Sequence, residues 1–66
     1  MLCKCIRFET LIYDGFKFPG ARIVKVMRKG DICVVVKERV DANYHQVFFN
    51  GVVGYVYSKS IEEIKE

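Results

Sequence analysis

The sequence has no tryptophan, one histidine, one proline and only five glycines in 66 residues. That scarcity excludes a proline-rich recognition segment, a collagen-like repeat and a low-complexity chain. Long apolar runs are missing too, and none approaches the ~20 residues that carry a helix across a bilayer. The opening Met1-Leu2-Cys3-Lys4-Cys5 meets charge before any stretch of the length a secretory leader needs. The expectation is therefore a soluble cytoplasmic domain with no membrane partner. His45 stands alone as a general base. Cys33 or Ser58 as its nucleophile would need an orienting acid that the sequence does not place, so a non-enzymatic protein is predicted.

Cysteine is present but in odd number. Cys3, Cys5 and Cys33 cannot all pair within the chain, which argues against a disulfide framework. With His45 they make four conceivable zinc ligands, yet the paired spacing of a structural zinc site is not repeated. Cys3 and Cys5 lie two apart and point to one face of a strand. Reduced thiols packed as small hydrophobes are the expected outcome, with neither metal nor cofactor.

What the chain does have is apolar mass: hydrophobic residues make up 52% and charged residues 29% of it. At this length a domain buries only ~60% of its unfolded surface, so most apolar residues are needed in the core. Lys plus Arg number 11 and Asp plus Glu 8, a net charge of +3. Glu62, Glu63 and Glu66 crowd the end beside Lys65, which leaves residues 1–61 with 10 bases, 5 acids and a net charge of +5. The expectation is a basic body with an acidic tail at 62–66.

Val, Ile, Tyr, Phe and Thr recur in short runs between turn signals, the mark of strands. Residues 2–13 read as a first extended region, with 1–9 an extra N-terminal strand ahead of a domain at 10–61. A loop follows at 14–21, Asp-Gly-Phe-Lys-Phe-Pro-Gly-Ala. Strands are predicted at 22–27, 32–39, 44–49 and 52–57. Arg28-Lys29-Gly30-Asp31 and Asp41-Ala42-Asn43 connect them, and Asn50-Gly51 is the strongest short hairpin signal. Ser58-Lys59-Ser60 fits one helical turn before a closing aliphatic, Ile61, and only 61–66 has helical character. Gly54 sits inside a strand, where bare backbone permits a close approach. Alternation sends Tyr55 and Tyr57 to one face and Val56 to the core, beside Met27, Cys33 and Val35. Five strands with two free edges invite aggregation, so the predicted fold is all-β, a small five-stranded closed barrel with a single helical turn before the last strand.

Met27-Arg28-Lys29-Gly30-Asp31, an aliphatic strand, and then Asn50-Gly51-Val52-Val53-Gly54-Tyr55-Val56-Tyr57-Ser58-Lys59-Ser60-Ile61 together resemble an SH3 domain, above all the bacterial type. Thr10-Leu11-Ile12-Tyr13-Asp14-Gly15 stands where that family enters its long first loop. The resemblance spans roughly residues 10–61 and implies an SH3-like barrel that binds a protein or peptide. It departs from the eukaryotic groove that grips polyproline. Asn43-Tyr44 replaces the tryptophan pair, Tyr57 the proline and Ser60 the last tyrosine, while Tyr13 remains. Bacterial members also imply cell-wall peptide recognition as an alternative, while a free-standing protein-binding module would modulate a larger partner as small phage or bacterial accessory proteins do.

Aromatics exceed what so small a core encloses. Phe16 and Phe18 flank Lys17 in the first loop, and two placements stand open: contact with a partner, or a cap on the end of the barrel. The candidate ligand-binding set is Tyr13, Phe16, Phe18, Tyr44, Tyr57 and Ser60. Lys17, Arg22, Arg28, Lys29, Lys37, Arg39 and Lys59 interleave with these rings, the pattern of a small barrel that binds single-stranded nucleic acid. For self-association the expectation is a monomer or a weak homodimer through an edge strand, the N-terminal one with Cys3 and Cys5.

Overall fold

A computed structural model describes residues 1–65. The strands are β1 (Leu2–Cys5), β2 (Glu9–Tyr13), β3 (Ile23–Arg28), β4 (Ile32–Asp41), β5 (Tyr44–Phe49), β6 (Val52–Tyr57) and β7 (Ile61–Glu63). A 3-10 turn at Ser58–Ser60 separates β6 from β7. All seven strands belong to one antiparallel sheet in the order β3-β2-β6-β5-β4-β1-β7. The all-β class and the single helical turn match the expectation from sequence.

The closed five-stranded barrel does not form. Among the described residues no ladder joins β3 to β7, and the sheet is open. Two local events account for the difference. The long extended region breaks at Ile6-Arg7-Phe8, giving β1 and β2 instead of one strand. β1 then inserts between β4 and β7, with Cys3 opposite both Cys33 and Glu63. The last strand is spent on β1 and never reaches the β2–β3 hairpin. The same pairing overrides the helical character expected at 61–66, since Ile61–Glu63 is strand; Glu66 lies outside the described residues. It also removes β1 as an edge, so the edge-strand homodimer through Cys3 and Cys5 has no free ladder to use. The edges are β3 and β7.

The turns follow their local chemistry. Asn50 and Gly51 both take positive φ, 48° and 83°, as a two-residue hairpin turn with right-handed strand twist requires. At the β3–β4 turn the Arg28 N–H donates to Asp31 Oδ2 at 2.9 Å and the Asp31 N–H to the Arg28 carbonyl at 2.9 Å. The Gly30 and Cys5 amides then stitch this turn to β1 through the Cys5 and Asp31 carbonyls, at 2.9 and 2.8 Å. The Ser58 N–H donates to the Asn43 carbonyl at 2.7 Å, tying the 3-10 turn to the β4–β5 connection.

Inward-facing residues form one core: Cys3, Cys5, Ile12, Met27, Cys33, Val35, Val47, Val56 and Ile61. Val56, Met27, Cys33 and Val35 are together in it, as alternation requires. The three cysteines are free thiols. Burial raises the Cys3 thiol above its ordinary value and, with the neighbouring Cys3 and Cys5, pushes Cys33 up to about 11. The Cys5 thiol donates to Thr10 Oγ1 at 3.2 Å, which satisfies a buried hydroxyl.

β2 meets β6 at a single paired position, Tyr13 opposite Tyr55. Beside it Gly54 has no room for a side chain: a Cβ there would press on Ile12 Cγ2 and lie 2.7 Å from the Tyr13 carbonyl oxygen. Gly54→Ala is expected to lose about 1–3 kcal/mol by overpacking, read as a lower midpoint in urea at unchanged slope. The thiols generate a second expectation. Cys3 and Cys33 are protonated and buried at neutral pH, so iodoacetamide should leave both unmodified in the native protein and alkylate them in denaturant; rapid native labelling would contradict this packing.

Candidate functional site

Cross-strand pairing reads the outer face of the sheet as three rows. Leu2, Val34, Phe48 and Val53 make the first, across β1, β4, β5 and β6. Lys37, Gln46, Tyr55 and Tyr13 make the second, across β4, β5, β6 and β2. Asp41, Tyr44 and Tyr57 make the third. Three tyrosines and Tyr13 therefore reach one surface because a strand alternates with period two and β5 and β6 are in register.

The first loop adds two rings to that surface. Its base is clamped at Asp14, whose N–H donates to the Arg22 carbonyl at 2.9 Å while its Oδ1 accepts the Arg22 N–H at 2.8 Å. So held, the loop lays Phe18 between two strands' tyrosines, 5.1 Å from Tyr13 and 6.1 Å from Tyr44 between ring centroids. Tyr44 continues to Tyr57 at 6.1 Å, and Phe16 packs on Tyr55 at 5.2 Å. Tyr13–Phe18, Phe16–Tyr55 and Tyr44–Tyr57 meet edge to face, at 88°, 66° and 67°. That geometry is favourable for ring quadrupoles. Gln46 Nε2 donates to the Tyr55 hydroxyl at 3.4 Å and fixes that side chain.

Five of the six expected ligand residues, Tyr13, Phe16, Phe18, Tyr44 and Tyr57, are thus one contiguous cluster. Phe18 is 52% and Tyr57 37% exposed, and the others are half-buried. Neither phenylalanine joins the core cluster: Phe18 is exposed on the surface, and Phe16 is half-buried against Tyr55. Ser60 is a correction: it is buried, and its carbonyl accepts the Ile6 N–H at 3.0 Å. The bend at Ile6 that splits the first strand covers it. Tyr55 belongs to the cluster although sequence reasoning placed it only on the same face as Tyr57; its pairing with Tyr13 is nonlocal.

The basic residues do not gather. Arg22, Arg28 and Lys29 lie along and beyond β3, at one edge of the sheet, and Arg28 sits 3.8 Å from Glu9. Lys37 and Arg39 occupy the far half of β4, four strands away in sheet order. Lys59 is on the 3-10 turn and Lys17 beside the aromatic loop. Among the described residues no group of three or more His, Cys, Asp or Glu is arranged to hold a metal, and no helix is long and apolar enough to cross a membrane.

His45 has a structural partner. Its Nδ1 accepts the N–H of Arg39, at 2.9 Å, where Arg39 takes a positive φ of 48° in the irregular part of β4. Burial lowers the imidazole below its ordinary value of 6.5, with Glu38 opposing and Arg39 adding to the effect. No family model matches the chain, and neither the curated proteins nor the solved structures contain a match. What stands is a small all-β domain with an exposed aromatic cluster, a surface suited to protein binding.

The histidine sets a pH dependence. A group whose folded value is depressed stabilises the fold fully above its unfolded value, and that contribution is lost as pH falls through the folded one. Thermal stability should therefore drop from pH 7.5 toward pH 5, through the window below about 6.5. Calorimetry of His45→Gln should show a smaller drop over the same range; an equal drop would place the titrating group elsewhere.

Proposed function

We propose that this chain is an SH3-type interaction module in its mode of binding, taking a protein segment on the aromatic face of an open sheet. The observation that carries this reading is the unbroken ring path Tyr13–Phe18–Tyr44–Tyr57, assembled from β2, the first loop, β5 and β6. A row of partly exposed rings of this kind packs against aliphatic or prolyl side chains of an extended peptide. Rigid aromatic anchors bind at low entropic cost, which suits a small domain. Lys17 is exposed between Phe16 and Phe18 in the loop, so an acidic residue beside the apolar ones would add steering.

Selection from a phage-displayed random peptide library tests this. The wild-type chain should enrich a consensus with apolar residues at regular spacing. Phe18→Ala and Tyr57→Ala should each weaken the selected peptide by roughly tenfold or more, the scale of a hot-spot truncation. Selected peptides that bind both variants with wild-type affinity would overturn the assignment of this surface.

A further inference from the structure

The outer face carries a second surface that the aromatic path does not use. Leu2, Val34, Phe48 and Val53, its first row, are 52, 37, 44 and 54% exposed. Ile32 and Val36 flank Val34 on β4 and are 56 and 53% exposed. None of the six is polar, although the opposite faces of these strands already supply the core. A sheet with one solvated face ordinarily places polar residues at such positions.

We propose that this patch is a homodimer interface, in which two copies pack outer face on outer face about a two-fold axis parallel to the strands. Such an axis runs between β4 and β5 and reverses the row. Leu2 then faces Val53 of the second copy, and Val34 faces its Phe48. The row is self-complementary in size, with aliphatic against aliphatic at its ends and small against large in its middle, so two copies interdigitate at the ~10 Å spacing of packed sheets.

Area and pairing select this occupant. Six side chains near half exposure present on the order of 500 Å² per copy. Two copies bury on the order of 1,000 Å², the lower bound of a specific interface, which sets a weak and concentration-dependent dimer. β4 and β5, at the centre of the patch, are each paired on both sides, so no peptide can join the sheet there as an added strand. Two cations border the patch, Lys4 opposite Ile32 and Lys37 beside Val36, whereas a phosphate backbone calls for a basic stripe. The patch shares no side chain with the ring path, though the second row beside it includes Tyr13 and Tyr55, and dimerisation is read with no ligand on the rings.

Sedimentation equilibrium from about 10 µM to about 1 mM tests the proposal on the full chain. The mass of the wild type should rise from 7.7 kDa toward twice that value. Phe48→Asp and Val53→Lys should each weaken dimerisation about tenfold or more, while Phe18→Ala should follow the wild type. Amide dispersion in NMR spectra confirms that each variant is folded, and Val53→Lys decides should Phe48→Asp unfold. A wild type that stays monomeric at the highest concentration would overturn the proposal by leaving the face to a different partner. A folded Val53→Lys that associates as the wild type does would overturn it as well.

Discussion

The structure turns on one close approach, where β2 crosses onto β6. Tyr13 and Tyr55 are the only paired position between these strands among the described residues, and Gly54 lets the Tyr13 carbonyl and Ile12 come down onto the backbone beside it. That contact is the only ladder pair among the described residues that seats the β2–β3 hairpin on β6, beside the bonds that tie Thr10 and the β3–β4 turn to β1. Ile12 and Met27 reach the core only because the hairpin is seated there, and both are fully buried. The first loop, and with it Phe16 and Phe18, hangs from the same hairpin. Core and binding surface therefore share one hinge of bare backbone.

Much of this was legible from local chemistry. Asn50-Gly51 specifies its turn through positive φ, Gly54 marks a close approach, and period-two alternation separates Val56 from Tyr55 and Tyr57. The number and closure of strands were not legible, because they depend on where β1 docks. Nothing between Leu2 and Tyr13 signals the break at Ile6-Arg7-Phe8 as glycine or proline would. The preference of Ile61–Glu63 for helix is weak, and pairing with β1 overrides it. Long-range pairing decides such segments, and a single sequence carries little of it.

The aromatic cluster was legible as a set but not as a surface. Tyr44 and Tyr57 follow from register once the hairpin is known. Phe16 and Phe18 do not, since an apolar side chain in a loop finds cover wherever the loop's anchor points it. The anchor is Asp14, whose carboxylate and amide both bond Arg22 across eight residues. Ser60 shows the converse: a serine in a polar turn looks solvated until the Ile6 segment is found lying over it.

The core's three thiols carry a chemical consequence beyond packing. In the native sheet Cys3, Cys5 and Cys33 are shielded together from oxidants that reach the surface. An opened chain offers all three to exchange and oxidation at once, and an odd thiol always remains to capture a neighbour. Air oxidation of a thiol is slow beside the refolding of a small domain, so the damage follows the equilibrium population of the opened chain rather than each opening event.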